Sequence, residues 1–303
     1  MNRLEVELLG KKLKNPIIPA SGTFGFGYEF AEYYDINILG SIALKGTTLH
    51  PRYGNPLPRV AECKSGMINA IGLQNPGADQ VISTELVKLK KAYRDKAIIN
   101  IGGHSFNDYI DTAKKFNGIS NIWAVELNIS CPNVEGGGMA FGTNPLIIKE
   151  LTSAVKRVIT NPLIVKLSPN VTSIQDMAIA AEEGGADAIS LINTLVGMRI
   201  DLKTGKPIIS VKSGGYSGVG VFPIAIRMIY AVSSCVKIPV IGMGGISNAR
   251  EVLEAMYAGA HAVMIGTQNL IDPYACQSII NELPDVMDQL SIRNIRDIIR
   301  RSI

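Results

Sequence analysis

The sequence predicts an α/β protein, a single (β/α)8 TIM barrel with an N-terminal hairpin and inserted loops at the C-terminal face. Three observations carry that. Eight short apolar runs alternate with helical stretches between residues 16 and 267. The length, 303 residues, is ordinary for one such barrel. Amide and lysine side chains recur at the carboxyl ends of the runs, where a barrel has its mouth. A doubly wound open sheet is the alternative, and the unbroken alternation argues against it. With no linker and no shift in composition, residues 1–303 are expected to form one domain.

In chain order, Glu5–Leu9 and Lys11–Lys14 flank Gly10 as a hairpin. Pro16–Ala20 is the first barrel strand and Ser41–Lys45 the second. A Pro- and Gly-rich irregular excursion runs from His50 to Pro76, and segments of that length inside a compact domain are usually functional. A helix covers Asp79–Arg94. The strands Ala97–Ile101, Trp123–Leu127, Leu163–Leu167, Ala188–Ile192, Pro239–Met243 and Ala262–Ile265 follow. Helices fall at Asn107–Phe116, from the cap pair Asn144-Pro145 to Ile159, at Ser173–Glu183, Pro223–Cys235 and Asn248–Tyr257. Gly184-Gly185 stops one of these, and a long polar insertion spans Gly197–Gly220.

The composition, 47% hydrophobic and 18% charged, supports a large core and argues against disorder. Net charge is +4 with scattered Lys and Arg, which argues against nucleic-acid binding. Cys63, Cys131, Cys235 and Cys276 form no C-x-x-C pair, so no structural zinc or iron–sulfur site is expected on this chain. No metal-ligand spacing of Asp, Glu or His exists, and His50, His104 and His261 read as surface or structural residues. The charged, alternating start of the chain is not a signal peptide, and no apolar run spans a membrane. A cytoplasmic protein is expected.

Lys45, Asn100, Asn128, Lys166 and Asn193 stand at or just past the ends of five strands and converge on the mouth. A lysine set among Leu163, Ile164, Val165 and Leu167 needs negative charge nearby. An internal salt bridge to Glu126 would provide it; so would an anionic ligand. Gly242-Met243-Gly244-Gly245 and Ile265-Gly266-Thr267 end the last two strands, where barrels commonly hold phosphate on backbone N–H groups. Ser21-Gly22 can pack against the same ligand. A phosphate-bearing planar cofactor fits, and FMN fits best, because Lys166 can stabilise the negative charge of a reduced flavin near N1 and O2. Asn128-Ile129-Ser130-Cys131-Pro132-Asn133 and then Glu135-Gly136-Gly137-Gly138 place a thiol and two amides where a strand becomes a glycine-rich loop. Cys131 is therefore the candidate general base; Cys63, Cys235 and Cys276 read as inert.

Those motifs, with Pro19-Ala20-Ser21-Gly22, Asn69-Ala70-Ile71-Gly72-Leu73-Gln74-Asn75, Val165-Lys166-Leu167-Ser168-Pro169 and Ile192-Asn193-Thr194, resemble class 1 dihydroorotate dehydrogenase over essentially the whole chain. The resemblance implies one FMN per chain, contacting Ser21, Lys45, Gly46, Asn100, Asn128, Lys166, Ile192, Gly218, Gly244, Gly245, Gly266 and Thr267. It implies dihydroorotate at Lys45, Asn69, Ala70, Ile71, Gly72, Leu73, Asn128, Asn193 and Thr194, with Cys131 as base. The membrane-bound class is similar but has serine at that position and an extra N-terminal helical segment; neither feature is seen here. Glu135–Thr143 and Leu195–Arg199 look more like the NAD-linked subfamily than the fumarate-linked one. That subfamily implies a heterotetramer of two catalytic and two electron-transfer chains, the latter carrying FAD and [2Fe–2S]. The segment Ser213–Val221 is richer in Gly and Val than the family pattern.

The expected mechanism removes a proton from C5 of dihydroorotate on Cys131, passes a hydride from C6 to N5 of FMN, and yields orotate in pyrimidine biosynthesis. The Gly136–Gly138 loop is expected to close over the substrate. Competing readings are a fumarate-linked dihydroorotate dehydrogenase, a phosphosugar isomerase or aldolase on the same barrel, and a flavin-binding electron relay without catalysis.

Overall fold

A computed structural model describes residues 2–130 and 141–300. In chain order the strands are β1 (Val6–Leu8), β2 (Lys11–Leu13), β3 (Ile17–Pro19), β4 (Val60–Cys63), β5 (Gly66–Asn69), β6 (Ala97–Ile101), β7 (Ile122–Asn128), β8 (Leu163–Lys166), β9 (Ala188–Leu191), β10 (Leu195–Gly197), β11 (Gly214–Ser217), β12 (Val240–Met243) and β13 (Ala260–Ile265). Seven of them form one parallel sheet in the order β3-β13-β12-β9-β8-β7-β6. β6, β8, β9 and β12 are buried along their whole length. That is why these runs read as continuous apolar stretches and not as alternating ones: helices cover one face and the barrel interior the other.

The expected second strand, Ser41–Lys45, is not a regular strand. Continued to Thr47, the segment pairs with β6 through isolated bridges, Ala43 with Ile98 and Thr47 with Ile101. It nevertheless closes the ring. Gly40 N and Ala43 N donate to Ile17 O and Pro19 O on one side, at 3.0 and 3.2 Å. On the other, Leu44 N and Thr47 N donate to Ile98 O and Asn100 O, each at 2.9 Å. Trp123 Nε1 donates to Ser41 Oγ at 3.0 Å and ties the segment to β7. The barrel therefore has eight staves, and the (β/α)8 expectation holds.

The helices are α1 (Ala78–Gln80) and α2 (Leu86–Ala92), joined by the π-helical stretch Val81–Glu85, then α3 (Phe106–Lys115), α4 (Pro145–Lys156), α5 (Ile174–Glu183), α6 (Phe222–Ser233), α7 (Ala249–Tyr257), α8 (Gln268–Ile271) and α9 (Ala275–Gln289). Local chemistry starts several of them. Ser105 and Asp108 form a capping box on α3, and Asn144 Oδ1 accepts from Leu146 N at 2.9 Å to open α4 at Pro145. Ser173 and Asn248 cap α5 and α7 in the same way. α8 and α9 occupy a stretch to which the sequence reading assigns no element; Pro284 lies inside α9 and reads as a breaker.

The excursion 50–76, read from the sequence as irregular, joins residues 195–217 around the polar insertion in one four-stranded antiparallel sheet, β10-β11-β5-β4. Its register pairs Leu195 with Tyr216, Tyr216 with Ile68, and Ile68 with Ala61. This sheet stands over the carboxyl-terminal mouth. At the opposite end, the β1–β2 hairpin pairs Val6 with Leu13 as expected. Glu7 and Leu9 line a cavity with Pro162, Asp187 and Pro239, which lead into β8, β9 and β12. No helix among the described residues is long and apolar enough to cross a membrane.

Candidate active site

The mouth is built on a polar floor. Asn100 on β6 lies level with Glu126 on β7, and Lys166 on β8 with Ser190 on β9. Glu126 has no solvent exposure. Its Oε2 accepts from Asn100 Nδ2 at 2.6 Å and its Oε1 from Ser190 Oγ at 2.7 Å. Lys166 Nζ stands 4.0 Å from Glu126 Oε2 and 3.4 Å from Ser21 Oγ. The salt bridge considered for Lys166 thus exists at the limit of ion-pair distance, and the ammonium still faces a cavity. Asn100 Oδ1 is buried and has no hydrogen-bond partner among the described residues.

Above the floor lies a cavity of about 630 Å³. Ser21, Lys166, Ile192, Gly218, Gly244, Gly245, Gly266 and Thr267 all line it. Two of these glycines are required by shape. Gly244 and Gly245 have φ of 127° and 75°, and a Cβ at Gly245 would come within 2.7 Å of Phe222 N. Thr267 Oγ1 donates to Ser217 Oγ at 2.8 Å, joining the end of β13 to the sheet over the mouth.

A second cavity, about 500 Å³, adjoins the first. The two share Asn69, Asn193 and Thr194 as walls. Ala70, Gly72, Leu73 and Asn128 line the second, and Ile71 the first. Asn193 Nδ2 donates to Asn128 Oδ1 at 3.1 Å, and Tyr109 Oη to the Asn128 carbonyl at 2.8 Å. Lys45, Gly46 and Asn100 line neither cavity directly. Gly46 sits behind Leu73, with its Cβ position 3.5 Å from Leu73 Cδ2 and 3.0 Å from Asn100 Oδ1. Burial pulls the Lys45 ammonium below its ordinary pKa, the Arg59 charge adds to this, and Glu29 opposes it.

Cys131 and the Gly136–Gly138 loop lie outside the described residues. Cys276 is fully buried, and burial raises its thiol pKa; burial does the same for the half-buried Cys235. His104, read from the sequence as surface or structural, lines the second cavity with Arg52. Sequence reasoning also missed Ser190, although a hydroxyl within the apolar run Ala188–Ile192 was a visible signal. It missed Asn170, whose Nδ2 donates to Ser168 Oγ and Thr194 O at 3.1 and 2.9 Å. Met67, Tyr216 and Ser217 of the antiparallel sheet line the first cavity, and no local pattern marks them.

Fold and site together define an α/β barrel with a two-chambered mouth, one chamber edged by glycine turns and a buried lysine, the other by amides. The profile of the dihydroorotate dehydrogenase family matches residues 3–287. The chain is 57% identical over 302 residues to a protein of Anoxybacillus flavithermus, covering 100% of this chain and 96% of that one. It is 58% identical over 300 residues to one of Halalkalibacterium halodurans, covering 99% and 98%. It is 56% identical over 302 residues to one of Bacillus cytotoxicus, covering 100% and 97%. Each is named as dihydroorotate dehydrogenase B (NAD(+)), catalytic subunit. The chain belongs to the dihydroorotate dehydrogenase family.

Proposed function

We propose that this chain oxidises dihydroorotate to orotate with FMN as its bound cofactor, as the catalytic subunit of an NAD-linked enzyme. The observation that carries the reading is the pair of adjoining cavities with shared walls Asn69, Asn193 and Thr194, in a chain of this family. The first cavity suits FMN. Its glycine turns admit close approach of a phosphate, and Lys166 supplies a cation. Ser21, Lys45, Gly46, Asn100, Asn128, Lys166, Ile192, Gly218, Gly244, Gly245, Gly266 and Thr267 would hold it. When bound, FMN supplies the acceptor for the hydride lost from C6.

The chain's own residues do the rest. Asn69, Asn128 and Asn193 hydrogen-bond the amide edges of the substrate ring, with Ala70, Ile71, Gly72, Leu73 and Thr194 against it. Lys45 balances the substrate carboxylate. Cys131 takes the proton from C5 as thiolate. The designation of the relatives as NAD(+)-linked catalytic subunits supports a separate partner subunit and NAD as final acceptor; the family resemblance adds that this partner carries FAD and [2Fe–2S] in a heterotetramer.

Anaerobic addition of dihydroorotate to the purified chain, followed by flavin absorbance, tests this. Bleaching with formation of orotate is the expected result. Colourless protein that takes up no FMN would overturn the reading in favour of a phosphosugar enzyme. Yellow protein that dihydroorotate does not bleach would leave an electron relay. NAD reduction that begins only when an iron–sulfur subunit is added separates the NAD-linked from the fumarate-linked assignment.

A further inference from the structure

Beneath the residues that would touch the cofactor lies a buried charge with no part in the chemistry above. Glu126 links four barrel strands: it sits on β7, accepts from Asn100 on β6 and Ser190 on β9, and lies 4.0 Å from Lys166 on β8. Stability is a weak reason for it, because a buried ion pair returns little more than its desolvation costs. Its chemistry has two other consequences. A carboxylate only accepts, so the Asn100 side chain must present Nδ2 to it. Oδ1 is thereby turned away, toward Gly46, whose Cβ position is 3.0 Å from it. The carboxylate also sets a negative charge against Lys166, so a group in the cavity feels the Lys166 charge partly cancelled.

We propose that Glu126 is a positioning residue of the flavin site: its charge, set against the cavity-lining Lys166, fixes the reduction potential of the bound flavin. This rests on the FMN reading above. The described side chains that hydrogen-bond to this pair, Ser21, Ser190 and Asn100, are all neutral.

The test is Glu126→Gln in the FMN-loaded protein. The new amide can accept from Asn100 and donate to Ser190, keeping both hydrogen bonds and removing only the charge. A reductive titration against a reference dye reads the flavin midpoint. The reduced form should be favoured at least tenfold, about 30 mV more positive for a two-electron couple. Lys166→Met should move the midpoint the other way. Should the Gln variant fail to fold, Glu126→Asp draws the carboxylate back by one methylene and should shift the midpoint positively by about threefold. An FMN-replete Glu126→Gln variant with an unchanged midpoint would overturn the proposal while leaving the FMN reading intact. Wild-type protein that takes up no flavin would overturn both.

Discussion

Asn193 Nδ2 donates to Asn128 Oδ1 across 3.1 Å, joining residues 65 apart in sequence at the wall between the two cavities. Asn128 Oδ1 also accepts from Ser130 N at 3.4 Å. With its oxygen engaged, Asn128 offers its N–H groups to the second cavity. Asn193→Ala removes one substrate contact and frees the Asn128 amide to turn. We expect KM for dihydroorotate to rise about tenfold to a hundredfold, the equivalent of about 1–3 kcal/mol for an unpaired polar group. Steady-state kinetics check it, and a KM within twofold of wild type would remove Asn193 from the binding site.

Glycine at 245 is demanded by crowding as well as by backbone angle. Gly245→Ala would meet Phe222 N at 2.7 Å and Phe222 Cβ at 2.8 Å, whereas Gly118, with a similar φ of 73°, has nothing within 4 Å. Both substitutions carry the left-handed backbone penalty, about 1 kcal/mol. Only Gly245→Ala should also displace the turn, weakening FMN binding at least tenfold by fluorescence titration. Equal FMN affinities in the two variants would refute a phosphate-side role for this turn.

For Cys131 the expectation concerns pH. A thiol ionises near pH 8.5, so activity should rise with pH as thiolate forms. Cys131→Ser should retain FMN but be reduced about a hundredfold more slowly at pH 7, within the range of general-base catalysis. Stopped-flow reduction by dihydroorotate measures this, and rates equal to wild type across pH 6–9 would exclude the base assignment (~ three units spanning the thiol's ionisation).

Stability should depend on pH through His261. Burial first, then the Arg300 charge, pulls its pKa down to about 4, while Val240 N donates to its Nδ1 at 3.3 Å. The folded state thus holds the neutral ring where the unfolded chain binds a proton. This contribution is complete above pH 6.5, the ordinary value, and is lost as pH falls toward 4. It is worth up to about 3 kcal/mol. Denaturant titrations of wild type and His261→Gln between these limits should show a smaller slope in the variant; parallel curves would count against the assignment.

Much of the mouth was legible because it follows local rules. Lys45, Asn100, Asn128, Lys166 and Asn193 are polar residues closing apolar runs, and strand direction alone assigns them to one end of a barrel. The turns at Gly244 and Gly266 were legible for the same reason. The sheet over the mouth was not. β4, β5, β10 and β11 are three or four residues long, half-exposed, and rich in glycine where they pair, so neither alternation nor propensity marks them. Their partners lie up to about 150 residues away, as with Tyr216 beside Ile68.

By itself, then, the amino-acid order determined the eightfold alternation, the helix starts at Ser173, Asn144 and Asn248, and the polar residues of the rim, because each depends on neighbours a few positions apart. Tertiary structure alone decided that the stave 40–47 closes the ring through scattered hydrogen bonds. It also decided that Glu126 meets Asn100, Ser190 and Lys166 together, and that two chambers share the wall of Asn69, Asn193 and Thr194. Those outcomes depend on the register between strands and on the shear of a closed barrel, which no single segment encodes.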